Sequence, residues 1–305
     1  MKKLSVGGQA VIEGVMMKAN NSLAVSVRKK GKIITKREKL KKKSKFFRMF
    51  FIRGIVNLID ILVLGIKSLM WSADQSAEKD EKFTKSEIII TLLISIGFVI
   101  LFFVAFPYFL THIIGIREEI NPVIFNLVDG LIKIALFLLY IILISLMKDV
   151  KRLFQYHGAE HKAVYCYEAN KKLTLKNAKK FSTLHPRCGT SFLMIVLIIS
   201  IFVFSLLPVI VIYLYPGFLQ LRLLIQKSIL FPLRIFLIPV IAGISYEILK
   251  LSNKFKKNLL IKLLIKPGLW LQKITTKEPT TKQIEVALKS LKEVIKTEKT
   301  KTKDI

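Results

Sequence analysis

Residues 88–110 read IIITLLISIGFVILFFVAFPYFL, without a charged side chain among them. A helix of roughly 20 residues crosses about 30 Å of hydrocarbon. Inside lipid a helix also satisfies its own backbone, which an irregular segment cannot do. Three further runs share this character. Residues 123–147 hold only Asp129 and Lys133 as charges, 191–215 hold none, and 229–249 hold Arg234 and Glu247. Pro208 lies near the far end of the third run, and Pro232 and Pro239 should kink the fourth. Together they predict a mainly α, polytopic membrane protein with four transmembrane helices.

The composition agrees. The chain has 305 residues, is 52% hydrophobic, and carries 50 Lys+Arg against 20 Asp+Glu, a formal charge of +30. Its mean hydropathy of +0.49 argues against disorder. Two cysteines exclude a disulfide scaffold. What remains is a membrane protein with basic water-facing segments.

Those segments orient it. Lys and Arg number 20 in residues 1–87, 10 in 148–189 and 15 in 250–305, but only three across 111–121 and 216–228. Basic loops stay in the cytosol. The N-terminus, the C-terminus and the middle loop are therefore expected on the cytosolic side of a bacterial cytoplasmic (inner) membrane, and four spans have the matching parity. Met1-Lys2-Lys3 leads into a Gly-rich polar stretch rather than the apolar core of a cleavable signal.

Between the spans the chain divides into segments. Residues 1–45 form an N-terminal cytosolic β-rich unit, in which Ser22–Arg28 and Lys32–Glu38 alternate apolar and polar about Lys29-Lys30-Gly31, a small β-hairpin. Before the hairpin lies Gly7-Gly8-Gln9-Ala10-Val11-Ile12-Glu13-Gly14-Val15-Met16-Met17. It reads either as an edge strand with turns or as a tight backbone path against some other group, with the role of Glu13 open. Residues 46–87 carry an apolar helix broken by Arg48, Arg53, Asn57, Asp60 and Lys67, expected to lie in the membrane interface before a linker. Residues 88–147 and 191–249 hold the two pairs of spans, and 148–190 the cytosolic loop between them. Residues 250–305 form a basic amphipathic tail whose lysines suit anionic lipid headgroups, each worth about 1 kcal/mol near the surface. Charge spread over every cytosolic segment fits membrane lipids as partners. Specific DNA binding would instead want one folded basic face.

Chemistry-bearing residues gather in the middle loop. Three of the four histidines and both cysteines lie between 157 and 188. Tyr156-His157-Gly158-Ala159-Glu160-His161-Lys162 contains His-x-x-Glu-His. On a helix, imidazoles four residues apart stack about 6 Å from each other. They can grip one divalent cation, with Glu160 about 60° to the side as a general base. His185-Pro186-Arg187-Cys188 offers a second pair of donors, and a helix starting at Gly189 favours a thiolate ligand at Cys188. The expected ligands are thus His157, His161, His185 and Cys188. Glu247 and Glu168 are possible further ligands or outer partners, and Cys166 points to the far side of the helix. Imidazole with thiolate selects Zn2+. Asp129 pairs with Lys133 one turn on, or with Arg234 at the same depth.

Several of these stretches carry a resemblance. Gly7–Met17, Tyr156–Lys162, His185-Pro186-Arg187-Cys188-Gly189-Thr190-Ser191-Phe192, Gly243-Ile244-Ser245-Tyr246-Glu247, Pro267-Gly268-Leu269-Trp270-Leu271-Gln272 and Thr275-Thr276-Lys277-Glu278-Pro279 resemble the YqhQ-like bacterial membrane proteins. That is a family of unknown function described as predicted metal-dependent enzymes. The resemblance covers nearly the whole chain. It implies an inner-membrane location and a metal site, and no substrate. Two functions remain in view. One is a metal-dependent hydrolase acting on lipid-linked or membrane-peptide bonds. The other is a non-catalytic factor whose metal staples the loop while its basic face docks translocation machinery or a ribosome.

Overall fold

The computed structural model describes residues 4–41, 43–76, 84–118, 120–254 and 258–300. The chain opens with strands β1 (Gly7–Val11), β2 (Gly14–Lys18), β3 (Ser22–Lys29) and β4 (Lys32–Lys39), joined as an antiparallel sheet in chain order. The expected hairpin is its second half, with Val27 facing Ile34 and Lys29 facing Lys32. A second hairpin precedes it. It turns through Ile12 and Glu13, and Glu13 takes a positive φ of 54°.

Helices follow: α1 (Ile52–Ser76), α2 (Lys85–Ile100), α3 (Phe106–Ile113), α4 (Pro122–Ser145), α5 (Lys148–Glu168), α6 (Leu175–Ala178), α7 (Gly189–Leu214), α8 (Leu223–Lys254), α9 (Leu259–Thr275) and α10 (Thr281–Thr300). Thr84 and Glu87 cap each other's backbone at the start of α2. A wide turn at Leu101–Ala105 links α2 to α3. Pro107 lies just beyond it and has no N–H to continue the ladder. Asn121 caps α4 by accepting from the Ile124 amide at 3.0 Å, with Pro122 at the first helical position. α8 runs through both Pro232 and Pro239.

Among the described residues, five helices are long and apolar enough to cross a membrane: Ile52–Ser76, Ser86–Ile113, Pro122–Ser145, Gly189–Leu214 and Leu224–Leu251. The last four are the runs read from the sequence. The additional one is α1, expected to lie in the interface.

The sheet is covered on both faces. Val15, Met17 and Ala24 pack with Ala159 and Ala163 of α5 and Ile284, Ala287 and Leu291 of α10. Val11, Met16, Leu23, Val25 and Val27 face the other way, toward Leu64 and Trp71 of α1. Neighbours along a strand point to opposite faces, so burial on both sides gives continuous apolar runs such as Val15-Met16-Met17. α1 is tied to the sheet by polar contacts as well. Asp60 pairs with Lys18 at 3.0 Å and Lys43 at 2.5 Å, and the Ile12 amide donates to Ser72 Oγ at 3.1 Å.

Inside the apolar bundle Asp129 pairs with Lys133, not with Arg234. Arg234 donates to Glu118 at 3.1 Å and Asn126 at 3.0 Å instead. One turn of α4 already puts the lysine beside the aspartate, and the loop before α4 supplies the arginine's carboxylate.

Candidate metal centre

α5 carries His157, Glu160 and His161 in little more than one turn, with His157 on one side of the helix. Cys166 falls on the other side, buried in the core that α5 shares with α10, as the helical period requires. Cys188 is the residue immediately before α7 and is buried. The loop that presents it is held by Gln272 of α9. The Gln272 amide oxygen accepts from the His185 N–H at 2.7 Å, and its nitrogen donates to the His185 carbonyl at 2.9 Å and to Ser191 Oγ at 2.7 Å. Close helix approach permits this. A Cβ on Gly268 of α9 would lie 2.5 Å from Ser191 Cα.

These elements bring His157, His161 and Cys188 together, with one ligand atom from each lying within 4.8 Å of the others. His157 Nε2 is 3.1 Å from Cys188 Sγ, and the two imidazole centroids are 4.5 Å apart. His161 offers its own ligand atom to the same group. The ring tautomers follow from the backbone. His157 Nδ1 meets the Thr275 carbonyl at 2.9 Å, and His161 Nδ1 meets the Thr183 carbonyl. A carbonyl only accepts, so each Nδ1 carries the proton and each Nε2 keeps its lone pair. Thr275 lies in the last turn of α9, where carbonyls lack helical donors. Histidines that bind metals are commonly oriented this way, by a carbonyl on the other ring nitrogen. Burial pushes the pKa of both imidazoles down, favouring the neutral, ligating form.

Glu160 is buried beside them, its Oε2 3.5 Å from His161 Nε2. Burial pushes its carboxyl pKa up, against the pull of His157, His185, the Gly8 amide and Arg187. The Gly8 amide donates to this carboxylate, and a Cβ on Gly8 would sit 2.7 Å from Glu160 Cγ. The tight path expected near the Gly7-Gly8 pair is therefore against Glu160. Glu13 goes elsewhere. It pairs with Arg152 at 2.5 Å and accepts from Tyr156 Oη at 3.3 Å, pinning its turn to α5.

The remaining expected ligands do not join the three. His185 Nδ1 accepts from the Arg187 amide at 3.2 Å, so its Nε2 bears the proton and faces Glu168 at 3.3 Å. The one lone pair of that ring is thus engaged by the Arg187 amide, and the group that converges is His157, His161 and Cys188. Glu168 is held by Arg187 as well as His185. Glu247 is taken by Arg53, which grips both its oxygens at 2.7 and 2.5 Å. The contributions of Gly8, Gln272 and the two threonine carbonyls were missed from the sequence. Only the glycine pair gave a local signal, since main-chain carbonyls carry none.

Residues 49–297 match the family described as "Protein of unknown function (DUF1385)". The chain belongs to that family. The DUF1385 match takes in His157, Glu160, His161 and Cys188 and begins after the sheet. The chain is also similar to the "Uncharacterized protein YqhQ" of Bacillus subtilis (strain 168), 35% identical over 311 residues that cover 96% of this chain and 92% of that protein. No solved structure matches. The descriptions of DUF1385 and of this relative assign neither an activity nor a metal.

Proposed function

We propose that His157, His161 and Cys188 hold one divalent cation, zinc by its ligand chemistry, at the cytosolic boundary of a membrane, and that Glu160 serves it as general base in a hydrolytic reaction. The observation that carries this reading is the convergence of two Nε2 lone pairs and one thiol, with both Nδ1 atoms engaged by carbonyls. Three protein ligands with a carboxylate beside them match a catalytic site, whereas a structural zinc closes with four. His185, Glu168 and Glu247, the other residues that the sequence offers as ligands, are each engaged by other groups. A bound cation supplies Lewis acidity and an acidified water there. Glu160, held by the Gly8 amide, takes the proton; Gln272 and the carbonyls of Thr183 and Thr275 keep the donors aligned.

Glu160→Gln tests catalysis. Zinc-loaded protein in detergent is expected to turn over members of a panel of fluorogenic peptides, esters and phosphoesters. The variant keeps its zinc and is slower by at least about 100-fold, the scale of lost general-base catalysis. Equal turnover by both proteins, or none by either, makes the centre structural and leaves the non-catalytic factor as the reading.

The location rests on packing parity. The sheet precedes α1, yet it packs on α5, which follows α4. An even number of crossings must separate them, and three helices of sufficient length lie between. α1 is the one held along the sheet by Asp60 and Ser72, with Ile59, Leu62, Val63 and Ile66 exposed along one side as an in-plane helix presents them to lipid. This reading has four crossings, and the excess of lysine and arginine supports a bacterial cytosolic location for the sheet, α5 and α10. In intact spheroplasts a membrane-impermeant maleimide should label Ile120→Cys but not Lys172→Cys until the membrane is opened. The reverse pattern contradicts this topology.

A further inference from the structure

The two edges of the sheet differ. β4 carries Lys32, Lys36, Arg37 and Lys39, the charges that normally keep an edge strand from pairing. β1 reads GGQAV and carries none. Its outward groups follow from the register. The two-residue turn makes Val11 and Gly14 a bonded pair, so by antiparallel alternation Gly8 and Ala10 aim their N–H and C=O away from β2. The outward Gly8 amide donates to Glu160, and the Ile12 amide to Ser72. Between these tethers lie the Gly8 carbonyl and both main-chain groups of Ala10, which have no hydrogen-bond partner among the described residues. Gly7 and Gly8 are exposed, and a Cβ on Gly7 would meet nothing within 4 Å.

We infer that this uncharged edge pairs with an extended polypeptide and that the peptide is the substrate of the adjacent centre. The inference rests on the cation reading above. An edge strand recognises a backbone by its spacing of donors and acceptors, independently of side chains. An extended peptide repeats that spacing along its own backbone, and this edge runs up to the general base. In the reaction water's oxygen joins the carbonyl carbon and the C–N bond breaks. The proton accepted by Glu160 passes to the departing nitrogen, leaving acid and amine.

The test compares three probes on the zinc-loaded full chain in detergent by titration calorimetry. Acetohydroxamate engages the cation alone. N-acetyl-Leu-Ala-Leu-Ala-Leu hydroxamate adds a backbone, and its alternately N-methylated form cannot pair. The peptide hydroxamate should bind at least about tenfold tighter than acetohydroxamate, and N-methylation should erase the gain. Ala10→Pro, which removes an outward donor that the ladder does not use, should erase it too, with acetohydroxamate affinity unchanged. Equal binding of the three probes overturns the edge inference and leaves the cation reading intact. Failure to bind zinc or acetohydroxamate overturns the cation reading itself. A gain that is absent, with Ala10→Pro splitting a dimer into monomers, assigns the edge to a second copy of the chain and overturns the peptide.

Discussion

His161→Ala and Cys188→Ser proteins are expected to leave purification without zinc, where the parent chain is expected to carry one ion per molecule. Each substitution removes one of three donors, and the two that remain cannot enclose the ion. The affinity should fall by at least about 100-fold, beyond the 10- to 100-fold that follows loss of a supporting partner. His185→Ala is the informative contrast. That ring packs 5.6 Å from His161 between centroids and donates to Glu168. Its loss should weaken binding only within the range for a supporting partner, and zinc should remain. The four-ligand arrangement read from the sequence predicts the opposite, with His185→Ala as damaging as Cys188→Ser. Elemental analysis of the purified variants separates the two. Thermal unfolding adds an independent readout, because a ligand that binds only the folded chain raises its midpoint. A chelator should lower the midpoint of the parent and leave that of Cys188→Ser where it was.

The largest purely structural effect is expected from Arg53→Ala. Arg53 meets both oxygens of Glu247, whose side chain is only 8% exposed. The Phe51 amide donates to the same carboxylate, and Phe51 holds a positive φ of 71°, unusual for an aromatic residue. Its ring is seated on Gly243, where a Cβ would come within 2.6 Å of Phe51 Cε2. Removing the guanidinium strands a buried carboxylate and releases the turn that starts α1. Breaking a buried pair from one side costs about 3–5 kcal/mol, and the part-exposed arginine argues for the lower end. A fall in the unfolding midpoint of roughly 6–10 °C is expected. Arg53→Ala with Glu247→Gln should recover more than half of the loss, since the stranded charge is then gone. Equal losses in the single and double variants would show that Glu247 is not dependent on Arg53.

Parts of this structure are written locally in the chain and parts are not. Lipid imposes uniform apolarity over a span, so α2 to α4, α7 and α8 show in composition alone. The alternation in Ser22–Lys29 and Lys32–Lys39 exposes one hairpin. β1 and β2 are harder to see. They are five residues each, glycine- and methionine-rich, and their turn places Ile12 and Glu13 where Asn-Gly would have announced it. Arg53, Asp60 and Lys67 marked α1 as a poor span. The structure adds a reason for two of them, since Arg53 and Asp60 meet charges on α8, on β2 and on the segment before α1.

The site divides in the same way. The four-residue spacing of His157 and His161 is a helical fact, and Pro186 and Gly189 mark where Cys188 can enter. Spacing says nothing about which way a ring turns. The Arg187 amide and Glu168 turn His185 aside, and both act through contacts that only the folded chain makes. Glu247 shows the same limit, since its partner lies on the distant α1. The Gly8 amide on Glu160 joins residues far apart in the chain, which no local pattern encodes.

Zinc-edge X-ray absorption on the detergent-purified full chain addresses the centre most directly. The expected shell has two imidazole nitrogens at about 2.0–2.1 Å, one sulfur at about 2.3 Å and a light atom in the remaining position. A shell without sulfur, or a chain that takes up no zinc at all, would contradict it.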